Sequence, residues 1–200
     1  QSGITPRSLL NVPTGTVPGG CSSYASCTLT SSLANGVFLV PSDLTINGFT
    51  LGANVNKDYV FLVSGNLTIN GTITNATNSN STTTFSVKGD IIVNETVGTT
   101  PAACPAPPSG GGHVQGFFST DKSFRMPKTT SCPTASRQLA FEGSLVVNAS
   151  LTDGTFDNDR TLCTNNTTYP VFTLKERPDM LLNLPDFLKV PTYIWEEVAP

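Results

Sequence analysis

Charge is scarce in this sequence: Asp, Glu, Lys and Arg together make up 12% of 200 residues, and the net charge is −3. No basic stripe or block is present to neutralise phosphates, which excludes a nucleic-acid partner and a polybasic membrane-binding surface. There is one histidine, His113, inside a Gly-rich loop. A Ser-His-Asp triad would have to use it, yet no Gly-x-Ser-x-Gly elbow accompanies it, so His113 reads as a loop residue. No apolar run is long enough to span a membrane as a helix, and no signal peptide is visible. Gln1 is not an initiator Met and reads as a processed or trimmed start. Phosphate loops, haem motifs and zinc ligand spacing are also missing. No cofactor is expected, and the chain is not expected to be an enzyme.

What is present is repetition. Val60-Phe-Leu-Val-Ser-Gly-Asn-Leu-Thr-Ile-Asn-Gly71 nearly restates Val37-Phe-Leu-Val-Pro-Ser-Asp-Leu-Thr-Ile-Asn-Gly48. Thr84–Asn94 and Leu139–Asn148 are further copies, and Val114–Phe124 is a weaker one. Aligned on the residue before the turn (Val40, Val63, Val87, Phe118, Phe141), the copies are offset by 23, 24, 31 and 23 residues. Each copy holds two short runs of alternating apolar residues around a Gly/Asn/Asp/Ser corner, so each run is a strand and each corner a tight turn. On the first run Phe38, Phe61, Phe85 and Leu139 share a column. On the second run Leu44, Leu67, Ile91 and Leu145 share one, and Ile46, Ile69, Val93, Phe124 and Val147 another. A single copy cannot bury these side chains, whereas stacked copies can. The expected fold is all-β: a right-handed parallel β-helix of about five rungs, with an antiparallel sandwich as the alternative. Asn47, Asn70, Asn94 and Asn148 fall in register as an Asn ladder.

Residues 1–36 read as an N-terminal cap or lead-in, and 37–162 as the solenoid. A Pro/Gly loop at 98–112 is inserted, and 163–200 form a linker and apolar tail. Lys122 falls where other copies carry Leu or Ile. Asp179 after Pro178 caps a short helix, which Pro185 then breaks. Met180, Leu181, Leu184, Phe187, Leu188, Tyr193 and Trp195 are too apolar a set to leave in water, and are expected to cap the solenoid or dock on a neighbouring subunit. Of five cysteines, Cys21 and Cys27 bracket a short loop, and Cys104 and Cys132 flank the weak copy. Two loop-stapling disulfides of an oxidising compartment are expected, leaving Cys163 free or paired between subunits; five inert thiols are the alternative.

Candidate chemistry is thin. Asp90 and Asp121 occupy turn positions equivalent to Asp43 and Asn66, where Asx turns explain them. The run Asp153–Asp159 reads as a solvated turn, with a Ca²⁺ loop as the alternative. Lys122, Arg125, Lys128 and Arg137 gather near the insertion. Asn-x-Ser/Thr triplets make Asn66, Asn75, Asn80 and Asn165 candidate glycan acceptors.

The tail Arg177-Pro-Asp-Met-Leu-Leu-Asn-Leu-Pro-Asp-Phe-Leu188 and the ending Trp195-Glu-Glu-Val-Ala-Pro200 resemble surface proteins of small-genome bacteria of the candidate phyla radiation. Val114-Gln-Gly-Phe-Phe118, Phe141–Asn148 and Asp159-Arg-Thr-Leu162 look like parts of the same pattern. The resemblance implies an extracellular, cell-surface location and a solenoid fold, and assigns no catalytic residues. The expected function is a structural, self-assembling subunit of a filament, pilus-like fibre, surface layer or adhesin stalk, so the partner is another copy of the chain. The alternative is a carbohydrate-binding or polysaccharide-cleaving β-helix, with Tyr59, Phe117 and Phe156 to Asp159 as the candidate sugar contacts and a surface polysaccharide or host surface as partner.

Overall fold

Three stacks of parallel strands wrap around one apolar core. The computed structural model describes residues 21–29, 36–52, 57–76, 80–100, 112–129, 131–132, 134–151 and 153–184. The first stack runs through β3 (Gly36–Val40), β5 (Asp58–Val63) and β8 (Thr82–Val87) to β10 (Val114–Thr120) and β12 (Leu139–Val146). The second runs from β2 (Ser26–Thr28) through β4 (Leu44–Leu51), β6 (Leu67–Ile69), β9 (Ile91–Val93) and β11 (Phe124–Met126) to β13 (Phe156–Asn158). The third joins the end of β4 to β7 (Ile73–Asn75), the start of β10, the start of β12 and finally β14 (Phe172–Lys175). Ahead of them, β1 (Cys21–Ser23) pairs with β2 in the antiparallel sense. The molecule is a parallel β-solenoid. Its strands begin before residue 37 and continue past residue 162, beyond the bounds read from the repeats.

Inward residues of successive rungs stack on like residues. Phe38, Phe61, Phe85 and Phe118 form a file of rings 5.1, 4.9 and 4.9 Å apart and within about 20° of parallel, and Phe141 closes it edge-on at 5.2 Å. Burying each ring is worth roughly 2–3 kcal/mol, and each ring pair about 1 kcal/mol more. Beside it Leu44, Leu67 and Ile91 line up, each fully buried.

The fourth and fifth rungs sit in a register other than the one their repeats suggest. Phe118 lies against Phe85, and Thr120 takes the place beside Val87. Phe124 lies against Ile91, so Lys122 falls in a turn and no column is broken. The slip is two residues, which keeps every side chain on its own face and is invisible to alternation. In the fifth rung Phe141 pairs with Val114 in the third stack and Leu145 with Phe118. The second strand of that rung is therefore β13, and Leu145 and Val147 are not part of it.

From the fourth rung on, the third and first stacks share one long strand, kinked at Gly116 and Gly143. These two glycines lie side by side at φ +142° and +132°.

Candidate functional site

The corners come first, because they set where each rung stops. At one corner the side chain of each rung takes the backbone N–H of the next. Asp43 Oδ1 accepts from Asn66 at 2.7 Å, Asn66 Oδ1 from Asp90 at 2.8 Å, Asp90 Oδ1 from Ser123 at 3.0 Å, and Ser123 Oγ from Thr155 at 3.0 Å. These bonds cross from rung to rung, 23 to 33 residues apart, so Asp43, Asn66 and Asp90 act as a ladder and not through the local Asx turns expected of them, and the next member is Ser123 and not Asp121. The Asn ladder is shorter than its register suggests. Asn70 donates to Asn47 at 3.4 Å, Asn94 turns to its own Thr96, and Asn148 sits in a left-handed turn at φ +58°.

Two buried arginines hold the other corners. Arg160 donates to the carbonyls of Val93, Asn94, Val97 and Arg137 at 2.6–3.2 Å. Burial lowers its pKa to about 10, with Glu95 opposing. Glu95 in turn accepts from both the N–H and the hydroxyl of Thr129. Arg177 sits on the opposite flank, forked onto Asp179 at 2.7 and 2.6 Å and bonded to Glu142 at 3.2 Å and to the carbonyl of Asn75 at 3.5 Å. Gln115 completes this cluster, donating to Glu142 at 2.9 Å. Lys175 lies 3.9 Å from the same carboxylate. Apart from Asp179, two residues from Arg177, none of these partners is local in sequence; the one available signal was Glu142 standing among core residues in a chain with little charge.

His113 is more than a loop residue. Its Nδ1 accepts the Ala140 N–H at 3.0 Å, and its Nε2 lies 2.7 Å from the Thr99 hydroxyl, so it joins the return of the insertion to β12. Burial, then the positive charges of Arg160 and Arg137, push its pKa below the ordinary value. Hydrogen bonds from Arg177 hold the Asp179 carboxyl below its usual range, against the opposing effect of burial.

Acidification is therefore expected to destabilise the fold in two steps. Below about pH 6.5 the unfolded chain binds a proton that folded His113 refuses, so this contribution is present above that pH and lost as pH falls towards the folded pKa. Below 3.8 the same argument applies to Asp179, whose folded pKa is depressed. A series of melting temperatures against pH checks both, and Asp179→Asn removes the lower step while leaving the upper.

The cysteines pair otherwise than spacing suggests. Cys132 is bonded to Cys163, not to Cys104, because the stacked rungs bring residues 31 apart in sequence to Cα atoms 5.7 Å apart. Cys163 is thus not the spare thiol. Cys21 and Cys27 stand opposite each other in the β1–β2 register, and Cys104 lies outside the described residues. The disulfide suits an oxidising compartment, and no helix among the described residues is long and apolar enough to cross a membrane.

The other sequence candidates scatter. Asn75 is buried and donates to the Ser81 carbonyl, so it is closed to modification; Asn66 is tied into the corner ladder, Asn165 is half-buried and Asn80 is exposed. Tyr59 is fully buried edge-on to Phe49 and cannot serve as a sugar platform. Asp157 belongs to strand β13, whose successive side chains alternate between faces, so Asp153–Asp159 is not a single loop converging on a cation. Arg125 Nε lies 3.3 Å from Asp90 and 3.7 Å from Asp157. Phe156 and Asp159 line a groove of about 570 Å³ beside this trio.

Among the described residues, the last rung combines unpaired strand edges with exposed apolar side chains. Among the described residues β13 pairs only with β11, and β14 only with β12, so each presents an open edge. Phe156 on β13 is 46% exposed and Leu174 on β14 53%. The helix α1 (Pro178–Leu182) follows, carrying Leu181 and Leu182 exposed, the latter at 80%. Of the tail residues read as a docking set, Met180 is buried on its own chain and Leu184 half-buried; Phe187, Leu188, Tyr193 and Trp195 lie outside the described residues. At the other end, among the described residues, β3 pairs only with β5, and Phe38 is the last, half-buried ring of the aromatic file. Comparison with protein-family models, curated proteins and solved structures gave no match to this chain.

Proposed function

We propose that the chain is a structural, self-assembling subunit of an extracellular, cell-surface fibre or layer, acting through its two solenoid ends and not as an enzyme. The observation that supports this is the pair of open strand edges, β13 and β14, set beside exposed Phe156, Leu174, Leu181 and Leu182. Unpaired edges with apolar side chains recruit further strands. The opposite end offers a matching partner in the β3 edge and the Phe38 ring. A contact between unlike ends does not close on itself, so it propagates. The likeness of the tail to bacterial surface proteins points the same way.

Negative-stain electron microscopy of the oxidised protein at rising concentration tests this reading. Fibres or sheets with a fixed axial repeat are expected for the native chain, and isolated particles for Leu174→Lys combined with Phe156→Lys. Isolated particles from the native chain at every concentration would refute it.

A second reading rests on the groove beside Arg125, Asp157 and Asp159, where the exposed ring of Phe156 offers a stacking surface for a sugar. Glycan binding lost in Phe156→Ala and retained in Leu174→Lys would favour it.

A further inference from the structure

One outward column of the first stack is polar in its middle and apolar at both ends. Leu39, Leu62, Ser86, Ser119 and Val146 stand one above another on rungs one to five. Their neighbours Val40, Val63, Val87, Phe118 and Leu145 pack in the core, so the column faces out. At its lower end Leu39 and Leu62 line a groove of about 520 Å³ with Pro41 and Ser64, bordered by Lys88 and Asp121. At its upper end Val146 is 49% exposed. The loop that follows is pinned to the fourth corner, where Asn148 N–H donates to the Lys122 carbonyl at 3.1 Å and Ala149 N–H to that of Thr120 at 2.9 Å. It holds up Leu151, 85% exposed at φ +57°. A leucine gains nothing locally there, because left-handed backbone suits Gly or Asn. One wall thus carries an apolar recess at one end and an apolar projection at the other.

We propose that this wall is self-complementary and pairs two copies of the chain about a two-fold axis that crosses it at Ser86. The axis runs along the strands, so one solenoid lies inverted against the other. Rung one of each copy then faces rung five of its mate. Val146 and Leu151 enter the recess at Leu39 and Pro41, Ser119 faces Leu62, and the small Ser86 side chains meet at the centre. Each contact occurs twice, as an isologous interface requires. The charges agree with this arrangement. Lys88 and Asp121 lie on successive rungs of the corner beside the column, and neither forms an ion pair among the described residues. Inversion about Ser86 sets each Lys88 one rung from Asp121 of the other copy, so two carboxylates offset the two ammonium groups that meet there. Nearer the strand starts Val37 and Val60 are already buried, which confines the contact to the half of the wall beside the corner. That strip is about 19 Å tall, four rung spacings, and far smaller than the ~800 Å² a side of a stable interface. Pairing is therefore weak and needs high protein concentration. It leaves the edges of β13 and β14 free, so it stands or falls separately from assembly through the ends.

The test uses the full-length oxidised chain carrying Phe156→Lys and Leu174→Lys, in which contacts through the ends are blocked. In sedimentation equilibrium up to ~1 mM, its average mass is expected to rise towards twice that of one chain. Adding Leu39→Lys is expected to raise the concentration of half-association about tenfold. Leu151→Asn is expected to do the same without lowering the denaturation midpoint, since Asn tolerates the left-handed backbone. A photo-crosslinker is the second measurement. In an equal mixture of isotopically light and heavy chains, Val146→p-benzoylphenylalanine is expected to give mixed-isotope adducts at residues 39–41 or 62–64. Val146 stands four rungs from Leu39 in its own chain, so an adduct to Leu39 cannot form within a monomer. A monomeric mass at every concentration, a rise in mass indifferent to Leu39→Lys, or adducts confined to other segments would each overturn the proposal.

Discussion

Gly143→Ala is expected to cost about 4 kcal/mol of stability, enough to leave much of the chain unfolded near body temperature. A Cβ at Gly143 would meet the Gly116 carbonyl oxygen at 2.0 Å and its carbon at 2.9 Å. Both are backbone, so no side chain can swing away. The φ of +132° adds strain for any L side chain, which is worth about 1–3 kcal/mol, and forced overpacking adds about as much. Opening the spacing between the fourth and fifth rungs would relieve the clash, but only by breaking the ladder between β10 and β12. Gly52→Ala is the matched control, because a Cβ there meets nothing within 4 Å. Chemical denaturation of both variants at a concentration that keeps them monomeric measures the difference. Equal midpoints would show that the kink at Gly116 and Gly143 tolerates side chains.

Arg160→Leu is expected to lose about 3–5 kcal/mol. The guanidinium holds four carbonyl oxygens, from Val93, Asn94, Val97 and Arg137, and no other donor side chain reaches the first three among the bonds described. Removing it withdraws a donor from all four; Asn94 still accepts from the Val97 N–H, and each acceptor left unpaired costs about 1–3 kcal/mol if water cannot enter. It also leaves Glu95 without the positive charge it faces. Arg160→Lys is expected to recover only part of the loss, since an ammonium is a point charge and cannot span four acceptors as a planar fork does. The pKa of about 10 keeps the native side chain charged at neutral pH, so the defect should be flat between mildly acidic and mildly alkaline conditions. Denaturation midpoints of the three proteins decide the matter. A lysine variant as stable as the native chain would mean that charge alone suffices.

The parallel stack was legible in the sequence because the first three rungs keep nearly constant length and carry like residues at like positions. Phe38, Phe61 and Phe85 stand one above another, as their spacing demands. Beyond the insertion the repeats mislead by an even number of residues. Alternation cannot detect such a slip, and only the packing of Phe118 on Phe85 and Phe124 on Ile91 resolves it. Strand β13 hid in a run rich in Asp, which local pattern assigns to a turn. The partners of Arg160 and Arg177 lie 35 to 102 residues away at their farthest contacts, beyond any local motif. The pairing of Cys132 with Cys163 depends on the same unread register. The open edges followed from the solenoid fold itself, but which side chains stand exposed on them depended on where β13 and β14 fall.

A linear stack in which each rung touches only its neighbours should fray from its ends, losing rungs one at a time as conditions worsen. Arg177 changes that. By bonding Asn75 and Glu142 together, it couples the middle of the stack to its last rungs, so the terminal rungs cannot peel off without breaking a contact in the second. The transition should sharpen from a gradual unravelling towards a single cooperative event. A stack wired in this way either presents an intact end or none at all, and that all-or-none quality is what the end-to-end assembly proposed above would require.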